Sequence, residues 1–232
     1  MTWIRLRQIA LVVADLEATV ELLGQAYGLR VAFHDPAVGA FGVRNAVLPV
    51  GSQFVEVLTP TRGGTAAGRQ IERAGGDSGY MVICHTDDHP RVRQRVGELG
   101  VRIAFEALHD GFQIMQLHPS DTGGSFLEVD FQPGGDDPEG PWAPAGPSWQ
   151  DNVDFSSANA ITAVTISCVD PGNTARRWAE ILDAPLDEHQ LALDNATVIF
   201  EEGGFDALTQ VRLNPTTAAG VASRVIGGVR FA

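Results

Sequence analysis

The sequence contains no lysine, and all 16 of its basic residues are arginine. This absence excludes mechanisms that need a lysine amine, such as Schiff-base catalysis and the Walker A phosphate loop. The arginines are outnumbered by 29 acidic residues, and the formal net charge is −13. Nucleic acids and anionic membranes attract clustered positive charge, so we expect neither as a partner.

Long apolar runs and cysteines are also scarce. No apolar run reaches the roughly 18 residues that a membrane helix needs. The N-terminal apolar stretch is interrupted by Gln8 and lacks the small-residue cleavage site of a signal peptide. The two cysteines, Cys84 and Cys168, each lie in an apolar run, which favours buried thiols in a reducing compartment. We therefore expect a cytoplasmic protein.

A repeat organises the first 131 residues. The sequence GLRVAF at 28–33 returns 72 positions later as GVRIAF at 100–105. Three further matches share this offset: Asp15 with Asp87, Gln8 with Tyr80, and Glu56 with Glu128. Four matches in one register indicate a duplicated supersecondary unit.

Each copy has the pattern of a strand, a helix and three short strands. In the first copy, the β-branched run 4–13 predicts a strand, Asp15 a helix N-cap, and Gly28 the helix end. Three strand-like segments follow, at 29–34, 42–49 and 53–59. The predicted fold class is α+β, in which two βαβββ modules pair into a curled, mixed sheet of eight strands with a concave inner face.

The chain changes character after residue 131. Residues 132–149 contain five prolines, four glycines and two tryptophans, Trp142 and Trp149, which predicts an extended arm that packs against another part of the protein. A weaker third βαβββ copy follows. The predicted organisation has three parts: paired modules in 1–131 (about 4–60 and 79–131), an arm at 132–159, and a degenerate module at 160–232.

The third copy lacks the polar residues of the first two. Aligning Asp170 with Asp15 places Ala163 and Val211 where the first copy has Gln8 and Glu56. No fourth copy is recognisable, and an unpaired sheet edge is a liability. We expect this module to pair with the same element of a second chain, which predicts a homodimer. In the alternative, the arm folds the module back onto its own chain.

Alternation of side chains along the strands predicts which residues face the hollow. This parity brings together the side chains of four residues: Gln8, Glu56, Tyr80 and Glu128. Two carboxylates that converge in a hollow repel each other, and a divalent cation with oxygen ligands is the usual solution. His85 has the opposite parity to Tyr80 and is expected behind the sheet.

Further polar residues lie on or beside the predicted inner strands. Arg44, Asn45 and Gln113 could hold a substrate carboxylate or amide. His34 begins a loop, HDPAVGAFGVRN, that could cover the hollow as a lid. For each of these residues, an ordinary polar residue at the surface or sheet edge is the alternative.

The duplicated βαβββ unit resembles the vicinal-oxygen-chelate superfamily, which includes glyoxalase I, methylmalonyl-CoA epimerase, extradiol dioxygenases and bleomycin-resistance proteins. IALVVADLE at 9–17 is similar to the family's opening strand, and LHPSDTGGSFLEV at 117–129 to the end of the epimerase pattern. The resemblance implies metal ligands on the first and fourth strands of each module, here Gln8, Glu56, Tyr80 and Glu128. The implied cofactor is a divalent metal (Mg, Mn, Ni, Co or Zn), or none.

Three functions remain open under this resemblance. The first is a metal-dependent lyase, isomerase or epimerase that acts on a small-molecule substrate through an enediolate, with Glu128 moving the proton and Glu56 as the second candidate. The second is a metal-free protein that binds a small molecule in the hollow, which Tyr80 and the missing histidines favour. The third, a ring-cleaving dioxygenase, needs two histidine ligands that these positions lack. Ala40 stands where the epimerases carry a second glutamate base.

Overall fold

The computed structural model describes residues 2–218 and 220–232, and this part of the chain forms two seven-stranded mixed sheets. The α-helices are α1 (Leu16–Tyr27), α2 (Ala66–Ala74), α3 (His89–Glu98), α4 (Pro119–Thr122) and α5 (Pro171–Leu182). The strands of the first sheet are β1 (Ile4–Val12), β2 (Val43–Val50), β3 (Gln53–Pro60), β4 (Ser78–Thr86), β5 (Ile103–His109), β6 (Phe112–Leu117) and β7 (Phe126–Asp130). The strands of the second sheet are β8 (Ala158–Cys168), β9 (Leu186–Asp187), β10 (Gln190–Ala192), β11 (Thr197–Glu202), β12 (Ala207–Pro215), β13 (Arg224–Ile226) and β14 (Val229–Phe231).

The first sheet confirms the tandem βαβββ modules. Its order is β2-β3-β1-β4-β7-β6-β5, with β1 and β4 joining the two modules as antiparallel neighbours. The sheet has seven strands instead of eight because the segment 29–34 forms only one bridge, between Phe33 and Val47. Asp35 then caps a 3-10 turn, Pro36–Phe41, which precedes β2.

In the ladder between β1 and β4, equivalent residues of the two modules are 73 positions apart instead of 72. Arg7 and Tyr80 are extra residues, or β-bulges, at symmetric places on either side of the Ile9–Val82 pair. Gln8 pairs with Phe54 in β3, and Met81 pairs with Phe126 in β7. Met81, 73 positions after Gln8, is therefore its structural equivalent in the second module.

This one-residue change reverses the expected faces of β4, since successive side chains point to opposite faces. Val82 and Cys84, expected in the hollow with Tyr80, lie instead in the core on the helix side. His85 faces the hollow, where its ring lies 5.3 Å from that of Trp142. The expectation that His85 lies behind the sheet is therefore wrong.

The start of α3 shows the same shift. Asp15 caps α1 by accepting a hydrogen bond from the Ala18 N–H, and Gly28 ends that helix with φ of 72°. In α3 the cap is Asp88, which accepts from the Arg91 N–H. Asp88, and not Asp87, is thus the equivalent of Asp15.

The second sheet corrects the prediction of an unpaired third module. β8, α5 and β9–β11 form the third βαβββ unit, and Thr165 pairs with Ile199 as Ala10 pairs with Glu56. Ile199, not Val211, therefore takes the place of Glu56. β12 pairs antiparallel with β8, and β14 parallel with β12, which repeats the arrangement of β4 and β7. Because the chain itself covers this edge of β8, the reason for expecting a homodimer is lost.

Two cores hold the fold together. The larger core joins one face of each sheet with α1, α3 and α5. The smaller core lies on the inner face of the first sheet, where the arm contributes Trp142, Ala145 and Trp149 against Phe54. The predicted packing of the arm is thus confirmed. No helix within residues 2–218 and 220–232 combines the length and apolar character that crossing a bilayer requires.

The assignment of the α3 cap can be tested by replacing the two neighbouring aspartates. Asp88→Ala is expected to lower the unfolding free energy by about 1 kcal/mol because it removes a helix N-cap. Asp87→Ala, which loses an exposed contact to the Trp3 N–H, should stay within about 0.5 kcal/mol of wild type. Urea unfolding followed by circular dichroism measures both, and a larger loss for Asp87→Ala would contradict the assignment.

Candidate functional site

A buried carboxylate, Glu56, lies at the centre of the polar residues on the inner face of the first module. The Gln8 Nε2 group donates to one carboxylate oxygen at 2.9 Å, and the Asn45 Nδ2 group donates to the other at 2.6 Å. Burial raises the pKa of Glu56 to about 7, and the charge on Glu128 adds to this effect, while the two amide donors oppose it. Glu56 is therefore held in place through both of its oxygens.

The orientation of both amides is determined by groups that can only donate. The Trp142 indole donates to Gln8 Oε1 at 2.8 Å, and the Asp35 N–H donates to Asn45 Oδ1 at 2.8 Å. Since an indole N–H and a backbone N–H cannot accept, each amide oxygen must face its donor, and each NH2 group must face Glu56. Hydrogen-bond donors thus converge on this carboxylate.

This arrangement does not fit the implied divalent metal. The ligand atom of a glutamine is its amide oxygen, and that of Gln8 is occupied by Trp142. The equivalent position in the second module is Met81, a poor ligand for a hard cation. Within the described part of the chain, no three His, Cys, Asp or Glu side chains form a group that could hold a metal ion.

Glu128 stands on the same inner face in different surroundings. It lies on β7 opposite Gln116 of β6, and Asp130 follows two residues later on the same face. Among the described residues, Glu128 Oε2 and both carboxylate oxygens of Asp130 lack a hydrogen-bond donor. Burial raises the pKa of Glu128 and, together with the nearby Glu128 charge, raises that of Asp130 further. One proton shared between the two carboxyl groups would satisfy two of these three oxygens.

Tyr80 lines a cavity of about 460 Å³ beside the first residues of β4 and β7. Tyr80 and Phe126 both line the cavity, with their ring centres 5.7 Å apart. Burial raises the pKa of Tyr80 to about 12, with a further contribution from the charge on Glu128. The phenol is therefore a neutral hydrogen-bond donor at physiological pH.

The other predicted substrate residues lie at or outside the rim of the hollow. Arg44 forms a surface ion pair with Glu17. Gln113 alternates with Phe112 and Ile114 of the inner face and therefore points to the helix side of the sheet. His34 is exposed, and its ring nitrogen lies 2.5 Å from the main-chain oxygen of Asn45. Of the four residues, only Asn45 contacts a carboxylate of the inner face.

The loop predicted as a lid extends across the hollow. It forms the 3-10 turn Pro36–Phe41, and Phe41 meets Phe105 of β5 with ring centres 5.0 Å apart. The first module therefore contacts the second on the concave side as well as through β1 and β4.

The chain belongs to the glyoxalase-like domain family, whose model matches residues 9–182. No curated protein sequence matches it. The paired modules are similar to a Streptomyces coelicolor methylmalonyl-CoA epimerase variant in complex with 2-nitronate-propionyl-CoA, at 26% identity and a TM-score of 0.50, over 55% of this chain and 96% of that one. A methylmalonyl-CoA epimerase in complex with methylmalonyl-CoA and NH4+ is similar at 26% identity and a TM-score of 0.50, over 56% and 95% of the two chains.

One solved structure is similar over the whole length. A hypothetical protein from Staphylococcus aureus shares 16% identity with a TM-score of 0.72, over 98% of each chain. The fold of that protein therefore includes counterparts of the arm and the second sheet. The paired modules of this chain have the fold of a small-molecule isomerase or epimerase.

Sequence reasoning missed two residues of the site. Asp130 lies two positions after Glu128 in the segment FLEVD. Its place on the same face of the strand could therefore have been predicted from the sequence. Trp142 was predicted to pack, but its contact with Gln8 crosses 134 positions and has no local signal. The third difference, Met81 in place of Tyr80, follows from a bulge that strand periodicity does not show.

The contact between Trp142 and Gln8 can be tested against the second tryptophan of the arm. Trp142→Phe should lower the unfolding free energy by about 1–3 kcal/mol more than Trp149→Phe, because a buried amide oxygen loses its donor. Trp149→Phe has the same change in volume and loses only a 3.3 Å contact to the Gly140 oxygen. Equal losses in chemical denaturation would show that the Gln8 contact contributes nothing specific.

The raised pKa of Glu56 predicts a pH dependence of stability. The folded state keeps the Glu56 proton up to pH about 7, whereas the unfolded chain loses it near 4.5. The folded state thus binds more protons in this window, and this group makes stability fall as pH rises. The Glu56→Gln variant lacks this titration, so its stability should not fall in this way. The difference in unfolding free energy, variant minus wild type, should therefore increase from pH 4.5 to pH 7 by on the order of 3 kcal/mol.

The control for this experiment is Glu202→Gln, which changes an exposed carboxylate of β11. Its difference from wild type should be constant across the same window. A Glu56→Gln curve parallel to that of wild type would contradict the raised pKa.

Proposed function

We propose that the protein is a small-molecule isomerase or epimerase that moves a proton at a carbon next to a carbonyl group, with Glu128 as the acid–base group. The observation that carries this proposal is the Glu128 Oε2 atom, which is buried on the inner face without a donor beside Asp130. A buried carboxyl group with a raised pKa is suited to take and return a proton near neutral pH.

The surrounding residues support this role. Glu128 takes the proton as the carbon–hydrogen bond breaks, and the electrons move to the carbonyl oxygen. In this scheme Tyr80, as a neutral donor, stabilises the oxygen on which the negative charge develops. Glu128 then returns the proton to a neighbouring carbon, which isomerises the substrate, or to the same carbon after the planar enolate has turned its opposite face toward Glu128, which inverts that carbon. Phe126 and the apolar residues of the smaller core keep water from this face.

The proposal contains no step through a metal. A metal-dependent form would require Gln8 to turn its amide oxygen away from Trp142 and would leave that indole without its acceptor. Glu56 has a structural role in this scheme because both of its oxygens are engaged. The names of the similar epimerases support carbonyl compounds of the methylmalonyl type as the first substrates to test.

The second candidate function is binding of a small molecule without catalysis. It is favoured by the arm, whose Trp142 and Trp149 already occupy the inner face against Phe54 and Arg7. A protein of this kind would use the remaining space for a ligand and would need no acid–base group.

Two further expectations stay proposals. A cytoplasmic location is supported by Cys84 and Cys168, which are both buried and free. A homodimer would need an interface other than the predicted edge of β8.

The proposed chemistry predicts exchange of a substrate proton with solvent. In D2O the wild-type protein should incorporate deuterium next to the carbonyl of methylmalonyl-CoA or of a 2-substituted 3-oxo acid, as measured by NMR or mass spectrometry. Glu128→Gln should slow this exchange by about 10²- to 10⁴-fold, the usual contribution of general acid–base catalysis. Glu202→Gln serves as the control and should exchange at the wild-type rate.

Circular dichroism of each variant shows whether the fold is retained. Equal rates for wild type and Glu128→Gln would remove Glu128 from the mechanism. Ligand binding by a wild-type protein that never exchanges deuterium would favour the second candidate.

A further inference from the structure

The cavity beside Tyr80 is walled by parts of the chain that the proposed chemistry does not use. It lies between α2, the connection from β6 to β7, and the loop before β12. Helix α2 contributes Arg69 and Arg73, which are one helical turn apart. The opposite walls contribute His118 and a single carboxylate, Asp206.

The two guanidinium groups are not neutralised by the protein. Neither Arg69 nor Arg73 forms an ion pair with a carboxylate in residues 2–218 or 220–232, although seven other arginines do. Arg69 donates to the Gly64 oxygen at 2.8 Å, and Arg73 donates to Gln70 Oε1. Since a guanidinium carries five N–H donors, each group retains several for a ligand. Like charges at this spacing on a helix repel each other, and an anion between them would relieve the repulsion.

His118 adds a third donor to the cavity. Its Nδ1 atom accepts from the Ser120 N–H at 3.3 Å and lies 3.4 Å from the Arg102 guanidinium. With Nδ1 as the acceptor, the neutral ring carries its proton on Nε2. Asp206 disfavours a second negative charge at the far wall, so the cavity suits a ligand with one compact anionic group.

Tyr80 and Phe126 both line this cavity, and Glu128 follows Phe126 by two positions on the same face of β7. The charges of Arg69, Arg73, Glu128 and Glu56 all act on the Tyr80 phenol. A ligand held by the arginines would therefore place its next atoms beside the phenol.

We infer that Arg69, Arg73 and His118 form a subsite for one carboxylate or phosphate group of a small organic anion, whose uncharged carbonyl end reaches Tyr80. The role of the carbonyl end rests on the proposed function of Glu128, whereas the anion subsite stands without it. The substrate class that follows is a carbonyl compound with one acidic group close to the reacting carbon.

The subsite is tested by titrating the full-length protein with two probes, inorganic phosphate and acetoacetate, by isothermal titration calorimetry. The methyl ester of acetoacetate serves as the uncharged comparison. Wild type should bind at least one of the two anions and bind the ester at least about tenfold more weakly, since hydrogen bonds to charged groups contribute this much. The stronger anion identifies the acidic group as phosphate or carboxylate.

Variants separate a specific subsite from a general effect of charge. The double variant Arg69→Gln/Arg73→Gln should bind the preferred anion at least about tenfold more weakly than wild type. Arg212→Gln/Arg230→Gln removes the same charge from exposed positions of the second sheet and should bind within about twofold of wild type. Failure of wild type to bind either anion, or equal weakening in both double variants, would overturn the subsite.

The outcome is distinguishable from that of the proposed function. Glu128→Gln should bind the anion as wild type does while losing deuterium exchange. Exchange that depends on Glu128 but does not change in Arg69→Gln/Arg73→Gln would refute the subsite alone. Anion binding that is lost in that double variant, without exchange by wild type for any substrate, would refute the proposed reaction and leave the subsite standing.

Discussion

Burial of carboxyl groups on the inner face of the first sheet is the physical constraint on which the site depends. An ionised carboxylate removed from water must be paired, hydrogen-bonded or neutralised by a proton. For Glu56, two amide donors, Gln8 and Asn45, oppose the effect of burial without cancelling it, and its pKa stays raised to about 7. Glu128 has no such pair of donors and lies beside a second carboxyl group, that of Asp130. The two modules thus surround their buried carboxyl groups with different polar neighbours.

The arm determines which solution the first module adopts. Trp142 is a hydrogen-bond donor only, and its contact with Gln8 directs the amide NH2 group toward Glu56. The same indole packs against Phe54, Phe112 and His85, so the contact is held by apolar burial from several strands. The arm, which lies outside the two modules, therefore orients the amide of Gln8, one of the residues that the resemblance implied as metal ligands.

The fold was predictable to the extent that it depends on local patterns. The capping of α1 by Asp15, its end at Gly28 and the tandem modules all follow from residue types and their spacing. The one-residue shift at Tyr80 was not predictable, because a β-bulge leaves the apolar pattern of a buried strand unchanged. The pairing of β12 with β8 was missed for a related reason. The segment from β12 to β14 repeats the arrangement of β4 and β7, but its described residues contain no helix, so the sequence shows no βαβββ pattern there.

The site was less predictable than the fold because its chemistry depends on the difference between the two modules. The 72-residue offset correctly matched Glu56 with Glu128, which occupy equivalent positions on β3 and β7. Their partners on the first strands are not equivalent in chemistry, however, since Gln8 is matched in space by Met81. A thioether gives a carboxylate no donor, so Glu128 keeps an oxygen free where Glu56 has none. Loss of symmetry at this single strand position separates Glu56, whose two oxygens both accept hydrogen bonds, from Glu128, which has an oxygen without a donor and which we propose as the acid–base group.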